Sequence, residues 1–173
     1  MKKVLNYEEG TWFLVPIRDN ACVAGVVARV SPTNYGVLLG YFFPQLYTTR
    51  PELDVLCDLK PSRAKTCMIF GHIGLLSREW PIVGKCVRWS SSEWPMPTFV
   101  RKNPLNGQRF EISYNDNDPA IQISEQPISD EDKRNLEQDG LFGHGAVRRY
   151  LAHLLGYEVP PLSFGAKSGG GKR

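Results

Sequence analysis

Three histidines, four cysteines and a band of carboxylates are the side chains of this sequence that could do chemistry. Catalysis needs such groups to converge, and His72, His144 and His153 fall at the spacing of no nucleophilic or metal-binding motif. His144, in Gly143-His144-Gly145, is expected to help cap a helix start, and His153 to lie on that helix's surface. His72, in Gly71-His72-Ile73-Gly74, has no such ready explanation. Cys22, Cys57, Cys67 and Cys86 contain no C-x-x-C pair, which removes zinc ribbons and thioredoxin-like redox motifs. Their apolar contexts predict buried free thiols in a reducing cytoplasm. Gly169-Gly170-Gly171-Lys172 imitates the end of a phosphate loop, but only one residue follows it, so no helix can present its amides to a phosphate. Neither a cofactor nor a metal is expected, and no catalytic residue is assigned.

Charge is the second clue. The 173-residue chain has 21 basic and 18 acidic residues, a net +3 matched by Lys167, Lys172 and Arg173 at its end. A near-neutral body argues against a domain held to nucleic acid by phosphate neutralisation. Between Glu111 and Asp139 nine acids face only Lys133 and Arg134, a local balance of −7. One reading makes these acids a docking face for a basic partner, with Asp116, Asp118, Asp130, Asp132 and Asp139 clustered beside an aromatic anchor such as Tyr114 or Trp94. The other makes them ordinary: Asp116 and Asp118 in a hairpin turn, Asp130 and Asp132 at a helix N-terminus, and Asp139 before a turn glycine. Trp89 and Trp94 flank a polar loop, Trp89 to Pro97, that offers an alternative contact surface.

The elements that must position these groups are mostly strands. Thr11 to Ile17, Ala21 to Val30 and Tyr35 to Phe43 are rich in β-branched and aromatic residues and separated by turn signals, which predicts three successive antiparallel strands. Ala21 to Ala28 is apolar almost throughout, as in a strand buried on both faces, and Gly25 and Gly40 suggest bulges or a tight bend. Thr66 to Phe70 and Ile82 to Arg88 read as further strands. Arg109 to Tyr114 and Ala120 to Glu125 read as a hairpin around Asn115-Asp116-Asn117-Asp118-Pro119. Pro51 and Pro61 bracket a segment that fits either a short strand or one helical turn. Ser129 to Gln138 has the signature of a short capped helix. His144 to Leu155 is the clear amphipathic helix, with Val147, Leu151, Leu154 and Leu155 on one stripe, Ala152 outside it and Gly156 as the stop. The expected class is α+β, mainly β: a strongly bent antiparallel sheet or small barrel-like core with one packed C-terminal helix. A single domain over 1–160 and a flexible tail over 161–173 complete it. The longest apolar runs are far below the roughly 18 residues of a membrane span. Glu8 and Glu9 after Lys2 and Lys3 spoil a signal peptide, so a cytoplasmic location is expected.

Several linked motifs then resemble one family. Glu9-Gly10-Thr11-Trp12-Phe13-Leu14-Val15-Pro16-Ile17-Arg18-Asp19, Gly25-Val26-Val27-Ala28-Arg29 and Leu38-Leu39-Gly40-Tyr41-Phe42-Phe43 are similar to the opening of the immunity protein 26 family of bacterial polymorphic toxin systems. Gly71 with Gly74-Leu75, Trp80-Pro81-Ile82-Val83-Gly84, Trp94-Pro95-Met96-Pro97 with Phe99, and Asp139-Gly140-Leu141-Phe142-Gly143 before Ala146-Val147 continue the likeness in order. Asn20-Ala21 without glycine and Pro44 after Phe43 are its departures. The resemblance implies a cytoplasmic protein that binds and neutralises a cognate toxin and catalyses nothing; the acidic segment makes a basic nuclease one candidate for that toxin. It assigns no contact residues. A nucleic-acid-binding small β-barrel and an unrecognised enzyme are the competing classes.

Overall fold

Strict alternation of side chains along four neighbouring strands builds this molecule around one sheet with two buried faces. The computed structural model describes residues 5–129, 131, 132 and 134–157. Strands β1 (Thr11–Arg18), β2 (Ala21–Val30), β3 (Val37–Tyr47) and β4 (Thr66–Gly71) are antiparallel neighbours, and β5 (Ile82–Lys85) pairs with the free side of β1. Trp12, Leu14, Ala24, Val26, Leu39, Tyr41, Cys67 and Ile69 point to one face. Phe13, Val15, Val23, Val27, Leu38, Phe42, Met68 and Phe70 point to the other. A strand's two-residue period does this automatically once both faces have covers.

The covers come from the rest of the chain. On the Phe13 face lie α2 (Ile73–Leu76), with Leu75 fully buried, and α3 (His144–Leu154), which inserts Val147 and Leu151. Ala152, expected off the apolar stripe, is also fully buried, because a methyl there lets the helix approach the sheet. Leu155 is only partly buried against the same core, and Gly156, at φ +75°, turns the chain away after the helix. On the Trp12 face lie α1 (Leu53–Cys57), through Leu56, and a second sheet of β6 (Phe99–Lys102), β7 (Arg109–Asn115), β8 (Asp118–Ile128) and β9 (Glu137–Gln138). The segment between Pro51 and Pro61 is therefore helical. The strand order is β8-β7-β6-β9, and β10 (Leu141–Phe142) returns to the large sheet, giving β10-β4-β3-β2-β1-β5.

The mainly β class, the β7–β8 hairpin and the C-terminal helix agree with expectation. Other expectations need correction. No barrel closes: the strands form two sheets, and the large sheet ends in the short strands β5 and β10. Nor is the architecture wholly antiparallel, since β10 runs parallel to β4 and β9 parallel to β6. Among the described residues of Ser129 to Gln138 the expected helix does not form. Only Leu136 offers an apolar side chain there, too little for a packed face, and Glu137 and Gln138 pair with Phe99 and Val100 instead. The strand expected to reach Arg88 stops at Lys85. Both departures from the family pattern find local solutions. Asn20 adopts φ +59°, a conformation asparagine tolerates, and Pro44 falls where the β2–β3 register shifts between Val23 and Gly25, so its missing N–H costs no ladder bond. The tail expected over 161–173 lies outside the described residues.

One buried carboxylate ties the two sheets. Asp118 is 3% exposed and accepts hydrogen bonds from Ser31 Oγ and Thr33 Oγ1, each at 2.6 Å, and from its own strand's Ala120 N at 3.0 Å. Burial alone would push its carboxyl up, but these donors outweigh burial and hold it below the ordinary aspartate range. Asp118→Ala is expected to cost about 2 kcal/mol by stranding both hydroxyls and the amide. The stabilisation from Asp118 is fully present above the unfolded aspartate pKa of about 4 and is lost as pH falls through the lower folded value. Urea unfolding at pH 7 and pH 3 checks both statements. A wild-type minus variant difference that does not shrink at pH 3 would refute them.

Candidate functional site: the tryptophan cleft

After β5 the chain cannot continue as a strand. Cys86 turns inward, Val87 and Arg88 turn outward, and Trp89 folds back over Gly10, whose φ of +84° and missing Cβ make room for the indole. A short 3₁₀ turn at Ser91–Glu93 then delivers Trp94 into the core. Trp89 and Trp94 stack with centroids 5.1 Å apart, and Trp94 stands edge-on to Trp12 at 6.1 Å and to Tyr41 at 5.1 Å. The Tyr41 hydroxyl donates to the carbonyl of Pro95. Arg29 fixes the loop from below: its guanidinium, 6% exposed, donates to the carbonyls of Ser91 (3.0 Å), Asp116 (2.7 Å) and Ala28 (2.7 Å). A single buried cation thus joins β2, the tryptophan loop and the β7–β8 turn.

The loop and α1 enclose a cleft of about 350 Å³. Trp12, Trp89 and Trp94 line it on one side, and Leu53 and Cys57 of α1 on the other. Its lining carries both signs, with Asp54, Asp58 and Glu93 alongside Lys60, Lys85 and Arg88, and Lys85 also reaches Glu8 at 2.9 Å. Lys60 and Glu93 approach to 3.8 Å, and Val87 stands wholly in solvent at 101% exposure. The Trp89 Nε1 is enclosed and meets no acceptor among the described residues.

A disulfide between Cys57 and Cys86, with Cα atoms 5.8 Å apart, links the two walls. This corrects the expectation of four free thiols. The partners are 29 residues apart in sequence, and only the packing of Leu53 against Gly84 and of Leu56 into the core brings them together. Cys22 and Cys67 are free, and burial pushes both thiols up.

The described acids of this segment lie in different surroundings, and several are paired. Asp116 is exposed at the hairpin turn, while Asp118 is buried between the sheets. Asp139 accepts from Arg101 Nε and from Tyr114 Oη, both at 2.8 Å, its side chain only 3% exposed. Burial and that bond push the Tyr114 hydroxyl up to about 12. Arg134 bridges Asp132 (2.7 Å) and Glu111 (2.5 Å), and hydrogen bonds from Arg134 hold the Asp132 carboxyl down at about 2. Glu125 meets Arg101 at 3.3 Å, and Glu137 accepts from Thr66 Oγ1 at 2.6 Å, where burial pushes its carboxyl up. Asp130 lies outside the described residues. Arg101, which precedes the segment in sequence, was invisible to a local charge count.

Of the two tryptophans singled out, Trp89 is half-buried at the cleft and Trp94 is 4% exposed beneath it. His144 is the first residue of α3 but makes no cap bond, because Gly143 occupies the N-cap; its Nε2 lies 3.7 Å from Glu79 instead. His153 is exposed, as expected. His72 is 8% exposed, with Nδ1 2.6 Å from Tyr7 Oη and its ring 4.9 Å from that of Tyr35. Gly36 abuts it where a Cβ would come within 2.7 Å of Nε2, so His72 is locked into the fold at the β3–β4 end of the sheet. Among the described residues no group of three or more His, Cys, Asp or Glu is placed to hold a metal ion, and no helix is long and apolar enough to cross a membrane.

No curated protein and no solved structure matches the chain. Comparison with protein families matches residues 8–111, more than half of the sequence, to immunity protein 26. The match runs from the turn before β1 into β7 and so includes the large sheet's antiparallel strands, α1 and the whole tryptophan loop. The chain belongs to the immunity protein 26 family.

Proposed function

We propose that this chain neutralises a cognate toxin by binding it in the cytoplasm, has no catalysis of its own, and makes its principal contact through the rim of the tryptophan cleft. Family membership carries the reading. The choice of surface is supported by the contrast between an apolar-floored cleft with exposed Val87 and Arg88 and a set of acids largely occupied by Arg101 and Arg134. Binding energy concentrates where apolar or arginine side chains can be desolvated, not where charges are already paired. The toxin's chemistry follows from none of this, and a basic nuclease stays one candidate among others.

The test uses the toxin encoded beside this gene. Val87→Asp and Arg88→Glu alter exposed groups and should leave stability unchanged while weakening toxin affinity roughly tenfold or more. Trp89 is unsuitable for the purpose, since its ring also covers Gly10. Asp118→Lys is unsuitable too, because it would place a cation in the Ser31 and Thr33 pocket; Asp116→Lys alone probes the acidic alternative. Unchanged affinity in both rim variants, with association slowed only by Asp116→Lys, would move the contact to the β7–β8 turn. An undetectable complex between the wild-type chain and that toxin would remove the reading altogether.

A further inference from the structure

We propose that Cys57 is a thiol-exchange site whose opening releases one wall of the tryptophan cleft. The two sulfurs of the disulfide lie in unequal surroundings. Cys57, the last residue of α1, is half-exposed, whereas Cys86 is 7% exposed and its Sγ accepts a hydrogen bond from Trp12 Nε1 at 3.0 Å. Thiol exchange proceeds by attack of a thiolate on one sulfur and departure of the other. Access selects Cys57 as the sulfur attacked. The indole N–H selects Cys86 as the sulfur that leaves, because a hydrogen bond to a thiolate is stronger than one to a neutral sulfur.

The reacting partner is a small cellular monothiol, RSH, used as its thiolate. In the first step RS⁻ bonds to Cys57 Sγ, the Cys57–Cys86 bond breaks, and its electron pair remains on Cys86 Sγ, which takes up a proton from solvent. In the second step another RS⁻ attacks the RS sulfur on Cys57, yielding RSSR and the Cys57 thiolate. Two thiols are oxidised and one protein disulfide is reduced, so two electrons balance.

The cleft responds because α1 has little else to hold it. It is five residues long with no side-chain N-cap, and a helix of that length has no stability of its own. Leu56 in the core and Leu53 against Gly84 are its other anchors. Releasing Cys57 frees the wall opposite Trp89 and Trp94, and so alters the surface offered to a partner. That last consequence rests on the cleft rim being the toxin contact.

The first experiment needs no toxin. The full oxidised chain is incubated with mixed reduced and oxidised glutathione, and adducts are assigned to individual cysteines by peptide mass mapping. The expected result is an adduct on Cys57 and none on Cys86. An adduct on Cys86, or a bond that stays closed, would overturn the assignment. Trp12→Phe keeps an aromatic side chain but removes the donor, and should slow exchange at Cys57 roughly tenfold; an unchanged rate would refute the role given to the indole. Reduction by dithiothreitol should shift tryptophan emission to the red with far-ultraviolet dichroism preserved, and unchanged emission would sever exchange from the cleft. The cognate toxin is then titrated against oxidised and reduced chain. Equal affinity for both forms would exclude control of capture, whereas affinity for neither would refute the toxin-binding reading and leave the Cys57 mapping as found.

Discussion

Phe13→Ala is expected to lower the unfolding free energy by about 4 kcal/mol, the range for removing a fully enclosed aromatic ring. The ring is 0% exposed, stacks on Trp80 at 5.6 Å with 7° between planes, and lies 5.9 Å from both Phe42 and Phe70. These neighbours belong to different elements, so they cannot collapse together into the void. Phe13 is also paired in register with Gly25 on β2, where an added Cβ would come within 2.7 Å of the Phe13 ring. Gly25→Ala should therefore cost about 2 kcal/mol by overpacking. In the Phe13→Ala background the two closest clashes vanish and only Phe42 Cδ1, at 3.1 Å, remains to give way, so the double variant should lose less than the sum of the two single losses. Urea unfolding of the four proteins gives the coupling directly. Strict additivity, or a loss below about 1 kcal/mol for Phe13→Ala, would refute this account of the core.

The second large effect concerns the cross-link. Joining residues 29 apart removes loop entropy from the unfolded chain worth about 3.5 kcal/mol, so Cys57→Ser/Cys86→Ser should be less stable by nearly that amount. The comparison contains its own control. With excess dithiothreitol present, wild type should fall to the variant's stability, because both then unfold without a closed loop. A gap between the two that persists under reductant would mean that the serines damage packing around Trp12 and that the bond itself contributes little.

Sequence pattern sufficed where periodicity and burial agree. Trp12 and Phe13 point to opposite cores because adjacent strand residues must, and an almost unbroken apolar β2 demanded covers on both faces. The hairpin of β7 and β8 followed from alternation around an Asn/Asp turn, and α3 from its stripe of Val147 and Leu151. Pairings between distant segments were hidden. Nothing local to Glu137-Gln138 or Leu141-Phe142 signals that they run parallel to β6 and β4, and the acids of Ser129 to Gln138 imitated a helix start in a stretch without a packing face. The site was legible only in part. The Trp89 to Pro97 loop was visible as an aromatic-flanked turn, but its opposite wall, α1, and the bond from Cys57 to Cys86 arise from tertiary contact alone. The surroundings of the acids were hidden in a related way: Asp118 and Asp139 are tied to Ser31, Thr33 and Arg101, and a charge count along the chain cannot show partners that lie outside its window.

The place of α3 in the chain bears on how the protein is made. Phe13, Phe42 and Phe70 form a buried face whose cover includes Val147 and Leu151, and β4 gains its outer neighbour only at Leu141 and Phe142. At ribosomal speeds of about 5–20 residues per second, the interval between the emergence of Phe70 and that of Val147 is on the order of ten seconds. Through most of it the nascent sheet presents an aromatic face covered only in part, by Leu75 and Trp80, and an unpaired strand edge, two features that recruit chaperones and favour aggregation. A fold assembled in this order is not finished until α3 has emerged. Truncation just before α3 should therefore yield insoluble chain in place of a weakened fold.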